Sequence, residues 1–256
     1  MILTIIPWLI PAIFSVFALG FAGSILWYKH QAAKARTAMM QVLAQTLGLS
    51  FQEKDSFGLV QQLKGFDLFQ RERSRWLGKG KVVNVMRGWV DQTDVYLFDY
   101  IYTVQAGNSR KQVIQTVFFA NEKTWSLSKF HLRPENWWHK LKAKIGLDSD
   151  INFEENPEFS EKYWLEGELE ELVRQQFTPE LQGFLAERPP ANLEGNNYYL
   201  LAYKPRKKMD DREARVFFAH CCEIVRFLKE KGGLELMELV DQVERTSVRL
   251  PNELRR

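Results

Sequence analysis

The stretch that decides the fold is Val95-Tyr96-Leu97-Phe98-Asp99-Tyr100-Ile101-Tyr102-Thr103-Val104. β-branched and aromatic residues dominate it, the composition of a strand. Val95, Leu97 and Ile101 share one face, and Tyr96, Phe98, Tyr100 and Tyr102 share the other. A strand apolar on both faces belongs in the middle of a sheet, covered on each side. Upstream, Val82-Val83-Asn84-Val85-Met86 reads as a strand and Val90 to Asp94 as a turn. Downstream, Ala106-Gly107-Asn108-Ser109 turns the chain, Val113 to Ala120 returns, and Trp125 to Leu132 adds a shorter fourth strand. Successive strands joined by short polar turns predict an antiparallel meander.

Moving outward, Pro134 opens a short helix carrying Trp137, Trp138 and Leu141. Asp148 to Glu171 holds ten acids against Lys162 alone, a net −9, and marks a boundary between two halves. Tyr163 to Leu165 reads as a strand, Glu168 to Phe177 and Pro179 to Glu187 as short helices, and Asn197 to Tyr203 as the last strand. Asp210 to Lys231 forms a strong helix with Phe217, Cys221, Ile224 and Leu228 on one face, stopped by Gly232-Gly233. A last helical segment, Leu234 to Val243, precedes a polar tail. The class is α+β: an N-terminal transmembrane helix, then an antiparallel meander packed with helices. The expected units are an anchor (1–28), a juxtamembrane amphipathic helix (29–49), a β-rich half (50–147), an α+β half with the terminal helix (148–243) and a tail (244–256).

The anchor rests on charge. No Asp, Glu, Lys or Arg occurs from Met1 to Tyr28, and about 20 apolar residues suffice to cross a bilayer. Trp8 and Trp27-Tyr28 bracket the run as interfacial aromatics would. Lys29, Lys34 and Arg36 all follow it and none precedes it, which sets the domain on the cytoplasmic side of an inner (plasma) membrane. A cleaved signal peptide is the competing reading, but the run is long and its start lacks a basic region. Gln31 to Leu49 continues as a helix, with Met39, Met40, Leu43 and Leu47 at helical spacing and Gly48 at its end. The only cysteines, Cys221 and Cys222, are adjacent, so no disulfide framework exists and a reducing compartment fits.

Several segments resemble one group of uncharacterised bacterial membrane-anchored proteins. They are Leu97-Phe98-Asp99-Tyr100-Ile101-Tyr102-Thr103, Leu132-Arg133-Pro134-Glu135-Asn136, Asp150-Ile151-Asn152-Phe153-Glu154 and Phe159-Ser160-Glu161-Lys162-Tyr163, followed by Gly167, Val173-Arg174 and Phe177-Thr178-Pro179-Glu180. The resemblance covers most of Phe51 to Phe218 and includes the N-terminal anchor. It implies a bacterial source, a membrane anchor and a domain of unknown function, and it brings no functional residues.

Chemistry is sparse. Gly78-Lys79-Gly80 lacks the Ser/Thr and the strand of a phosphate loop. His131, Glu135 and His139 are spaced by four, but Pro134 interrupts the helix that would align them. Asp148-Ser149-Asp150 opens like a calcium loop and then places Phe153 and Phe159 where Gly and Glu are needed. Neither a metal nor a cofactor is therefore called for. Asp99 interrupts an apolar strand, and register places it opposite Thr116 with Asn84 diagonal to it, a buried polar cluster. Lys64 to Gly88 carries seven bases and two acids. Arg71, Arg73, Arg75 and Lys79 within it are the expected contacts to anionic lipid headgroups. The whole chain is only +3, too little for a nucleic-acid footprint. These features point to a membrane-tethered cytoplasmic binding or scaffolding module with an unidentified protein partner. The alternative is a membrane-associated enzyme acting on a lipid or envelope precursor, with Asp99 or the histidines in one cleft.

Overall fold

The computed structural model describes residues 6–71, 80–107, 109–135 and 150–247, with side chains described from 19 to 70 and, in the last segment, to 229. Helix α1 (Ile6–Leu47) leads into strand β1 (Ser50–Lys54), helix α2 (Leu59–Gln62), a 3₁₀ turn (Leu63–Gly65) and helix α3 (Asp67–Arg71). Strands β2 (Lys81–Val90), β3 (Thr93–Ala106), β4 (Ser109–Asn121) and β5 (Leu127–Pro134) follow. Next come helix α4 (Pro157–Lys162), strand β6 (Tyr163–Gly167), and helices α5 (Glu170–Gln176) and α6 (Pro179–Ala186). The hairpin β7 (Asn192–Asn197) and β8 (Tyr199–Tyr203) and the long helix α7 (Asp211–Ser247) complete the chain.

All eight strands join one antiparallel sheet in the order β1-β2-β3-β4-β8-β7-β5-β6. The protein is therefore α+β, and both sides of Asp148 contribute strands to the same sheet. β3 is buried along most of its length. Val95, Leu97, Phe118 and Leu200 face a core built with α1 and α7, while Tyr96, Phe98, Tyr100 and Phe119 face Leu59, Leu63 and Phe66 on the opposite side. Three layers result, because a two-faced apolar sheet exposes neither side to water.

Several sequence expectations need correction. The β2–β3 connection is not a five-residue turn but a two-residue one, with Asp91 and Gln92 both at positive φ (48° and 70°), the geometry of a type I′ hairpin turn. The fourth strand, β5, does not extend the meander beside β4; β8 and β7 lie between them. Pro134 ends β5 opposite Tyr163 rather than opening a helix, and Trp137, Trp138 and Leu141 lie outside the described residues. The last strand is a hairpin. Asn192-Leu193-Glu194-Gly195-Asn196-Asn197 looks like a loop by composition, yet it pairs on both edges, with β5 and β8. α7 does not stop at Gly232-Gly233 but continues to Ser247; a glycine inside a helix costs only about 1 kcal/mol.

α1 does end at Leu47, with Gly48 at φ +68° and Leu49 N–H donating to the Ala44 carbonyl at 2.8 Å. It is one unbroken helix whose surroundings change along its length. Leu19, Phe21, Leu26, Trp27 and Tyr28 are each at least 65% exposed. From Arg36 onward, Met40, Leu43 and Ala44 are buried against the sheet. Among the described residues no helix is long and apolar enough to cross a membrane; most side chains of the Met1–Tyr28 run lie outside them.

Candidate ligand cleft and the clamp beside it

Two polar arrangements sit on the α1/α7 side of the sheet. The first is a closed clamp around Asp99. Arg36, on α1, donates from Nε to Asp99 Oδ2 (2.8 Å) and from Nη2 to Asp99 Oδ1 (2.7 Å), a bidentate pair. Asn84 Nδ2 donates to Oδ2 at 3.0 Å and Thr116 Oγ1 to Oδ1 at 3.3 Å. Arg36 Nη1 reaches the Met209 carbonyl at 2.6 Å, and Thr116 Oγ1 accepts from Met209 N–H at 3.1 Å. Asp99 and Thr116 are direct register partners on β3 and β4, both fully buried. Asn84 sits at φ 52°, within the register shift between Val83 and Met86, which turns its amide toward Asp99. Asp99 thus has a charged partner that sequence reasoning missed. Arg36 reads as one more basic residue after the apolar run, and only the unbroken course of α1 carries it over β3.

The second arrangement is an open cleft of about 490 Å³ between α6, the segment after it, β7, the segment after β8 and the first turns of α7. Its floor is apolar and buried: Leu185, Leu193, Met209, Phe217, Cys221 and Ile224. Its rim is cationic, with Arg188, Lys204, Lys207 and Arg212 against Asp210 and Glu213. Both acids are already engaged. Asp210 Oδ1 accepts from Glu213 N–H (2.8 Å) and Glu213 Oε2 from Asp210 N–H (3.2 Å), a reciprocal cap on α7. Glu213 also pairs with Lys207 at 2.9 Å, which lowers its carboxyl pKa and raises that of the ammonium. Lys204 and Arg212 have no ion-pair partner among the described residues.

Local structure fixes this rim. Lys162 Nζ donates to the carbonyls of Ala186 and Arg188 (2.6 Å to the latter), capping the end of α6. The Arg188 guanidinium then lies 3.7 Å from the Phe184 ring centroid. The segment after β8 is pinned by Arg206 N–H to Gln115 Oε1 (2.6 Å), Thr116 N–H to the Lys207 carbonyl (3.0 Å) and the Met209 bonds of the clamp. His220 faces Phe184 edge to face, and burial, then Arg188 and Lys204, lower its pKa from 6.5. Burial raises the Cys221 thiol well above its ordinary value and Cys222 to about 12.

The other expected site residues fall elsewhere. The side chain of Arg71 and the whole of Arg73, Arg75 and Lys79 lie outside the described residues, as does His139. His131 lines a separate, smaller cleft, with Nδ1 3.8 Å from both Asp67 Oδ2 and Glu166 Oε1. Glu194, also there, accepts from the N–H groups of Asp67 (2.7 Å) and Leu68 (3.3 Å) and from the Tyr203 hydroxyl (2.7 Å), while burial raises its pKa. Among the described residues no group of three or more His, Cys, Asp or Glu could hold a metal. Asp99 lines neither of these two clefts. The run Lys204-Pro205-Arg206-Lys207-Lys208, four bases without an acid, is the sequence signal that was available for the larger cleft.

The fold and cleft define an α+β domain with a cation-rimmed apolar cavity. No family model and no curated protein matches the chain. The crystal structure of the mycobacterial trehalose monomycolate transport factor A, TtfA, is similar at a TM-score of 0.47 and 12% identity, over 75% of this chain and 96% of that one. So loose a likeness defines neither a family nor a function.

Proposed function

We propose that the protein is a membrane-tethered binding module, held at the cytoplasmic face by its N-terminal helix, that works by engaging a ligand rather than by catalysis. The observation that carries this reading is the exposed apolar stretch Leu19–Tyr28 on a helix that continues into the domain. Nothing among the described residues covers it, and large contiguous apolar surface in water marks a contact with membrane or partner. Ile6 to Tyr28 as helix measures about 34 Å, enough for a hydrocarbon core of about 30 Å. Arg36 follows eight residues later, about 12 Å further along the axis. Its lock on Asp99 would hold the domain against the bilayer at a fixed angle instead of on a loose linker. The basic flank at Lys29 and Lys34 supports the cytoplasmic side. The same orientation would bring Arg71, Arg73, Arg75 and Lys79 into play as contacts to anionic headgroups.

Alkaline carbonate extraction and a reporter fused after Arg256 test the tether. The expected outcome is retention in the membrane pellet with a cytoplasmic reporter. Release into the supernatant, or export of the reporter, contradicts the reading.

A further inference from the structure

We infer that the cleft between α6, β7 and α7 is a binding site for a single-chain anionic lipid, an inference that rests on the binding-module reading and names its ligand. The acyl chain would lie on the buried floor, and its carboxylate would meet Lys204 and Arg212 at the rim.

Three observations converge on this occupant. Polarity is segregated: the apolar floor residues Leu193, Met209, Phe217 and Cys221 are buried, while the charged residues of the rim reach solvent. An amphiphile has that division; a sugar or a nucleotide does not. Charge is also incomplete. Asp210 and Glu213 are used by the helix cap and by Lys207, and neither Lys204 nor Arg212 forms a direct ion pair among the described residues, although the Lys204 charge also acts on Glu213 at longer range. Lys204 lines the cavity together with His220 and Cys221. Size suits one chain: a cleft of about 490 Å³ has room for on the order of ten or more water-sized units of ~30 Å³, the scale of one acyl chain.

Placement adds a route. Lys207, Met209, Asp210 and Glu213 line both this cleft and the crevice against α1 at Ala32, Arg36 and Met39. Along α1, Ala32 to Met39 lies about 6–17 Å beyond Tyr28. With α1 in a bilayer, this part of the rim stands close to the surface, where a cation attracts anionic headgroups within ~8–10 Å. A lipid that leaves the leaflet head first would meet the rim before the floor.

Photocrosslinking tests the site. The full-length protein is reconstituted in neutral phosphatidylcholine vesicles with a diazirine-bearing palmitate, and adducts are mapped by peptide mass spectrometry. Adducts are expected on the peptides spanning Leu185–Leu193 and Val216–Ile224. Unlabelled palmitate should suppress them at least tenfold better than hexadecanol, which has the chain without the charge. Across shorter fatty acids, competition should weaken about fourfold per methylene removed. The double variant Lys204→Gln/Arg212→Gln should lose at least fivefold of the labelling with its melting temperature unchanged, and Val216→Trp should block labelling by filling the mouth. Adducts confined to α1, equal competition by hexadecanol, full protection by millimolar inorganic phosphate, or unchanged labelling of the double variant would each overturn the proposal. Carbonate extraction of the same vesicles reads the tether separately. Protein released by carbonate yet labelled in the cleft sinks the tether and keeps the lipid site. Protein retained but unlabelled sinks the lipid site and keeps the tether.

Discussion

The Asp99 clamp and the cleft next to it share Met209 but use charge in opposite ways. In the clamp, a buried carboxylate receives both arms of Arg36, the Asn84 amide and the Thr116 hydroxyl. Every strong donor aimed at it comes from the protein itself, so it has nothing left to offer a ligand. In the cleft, Lys204 and Arg212 stand beside a buried apolar floor and form no direct ion pair with a carboxylate among the described residues. A completed ion pair sealed from water fixes geometry; an uncompleted one beside a cavity is where binding can add something. Mutations should therefore act on stability at the first and on ligand at the second.

The largest effect is expected at the clamp. Asp99→Leu leaves Arg36 buried without its counter-ion and should cost about 3–5 kcal/mol. Arg36→Met should cost a similar amount, and the pair together less than the two separately, since no lone charge remains. Denaturant unfolding of the four proteins measures this. Additive losses would mean that the two side chains do not act as a unit.

Gly195, on β7 beside the smaller His131 cleft, comes next. A Cβ there would clash with the Phe130 ring, and Phe130 is itself buried. Gly195→Ala should destabilise by about 1–3 kcal/mol through overpacking, read from the same unfolding curves. Asp210→Ala removes the reciprocal cap of α7 and should cost about 1 kcal/mol. Lys204→Gln, by contrast, should fall within about 0.5 kcal/mol of the unchanged protein, since Lys204 is only partly buried and forms no direct ion pair among the described residues. A larger loss would show that Lys204 supports the fold rather than a ligand.

The comparison also explains what the sequence reveals. The central strand is legible because Val95 to Val104 alternates two apolar sets, and the Asp99–Thr116 pairing follows from the turn at Gly107-Asn108. Arg36 is hidden for a physical reason: nothing local marks which residue of a long helix will cross a given strand. The cleft is hidden more deeply. It needs the β7–β8 hairpin, and Asn192 to Asn197 carries glycine, a glutamate and three asparagines where strand formers are expected. That segment holds its place through long-range bonds, with Glu194 capping α3 and bound by Tyr203, and composition cannot announce such partners. The apolar face of α7 is visible as Phe217, Cys221, Ile224 and Leu228, but periodicity alone cannot distinguish the wall of a cavity from solid core.

The pH response of His220 is the smallest effect and the sharpest probe. Burial, Arg188 and Lys204 hold its pKa below 6.5 in the folded protein. The unfolded chain therefore takes up the proton first. Its contribution to stability is present above about pH 6.5 and is lost as pH falls from there through the lower folded value. An anion seated at Lys204 offsets the repulsion, which raises that folded pKa, while an acyl chain in the cleft adds to the burial of the ring, which lowers it. The direct measurement is an NMR titration of the His220 ring in the full-length protein, selectively labelled at histidine, with and without palmitate. The account predicts a pKa below 6.5 in the free protein, an upward shift in Lys204→Gln, and with palmitate a shift that the double variant Lys204→Gln/Arg212→Gln abolishes. A His220 pKa that ignores both palmitate and the loss of Lys204 would contradict it.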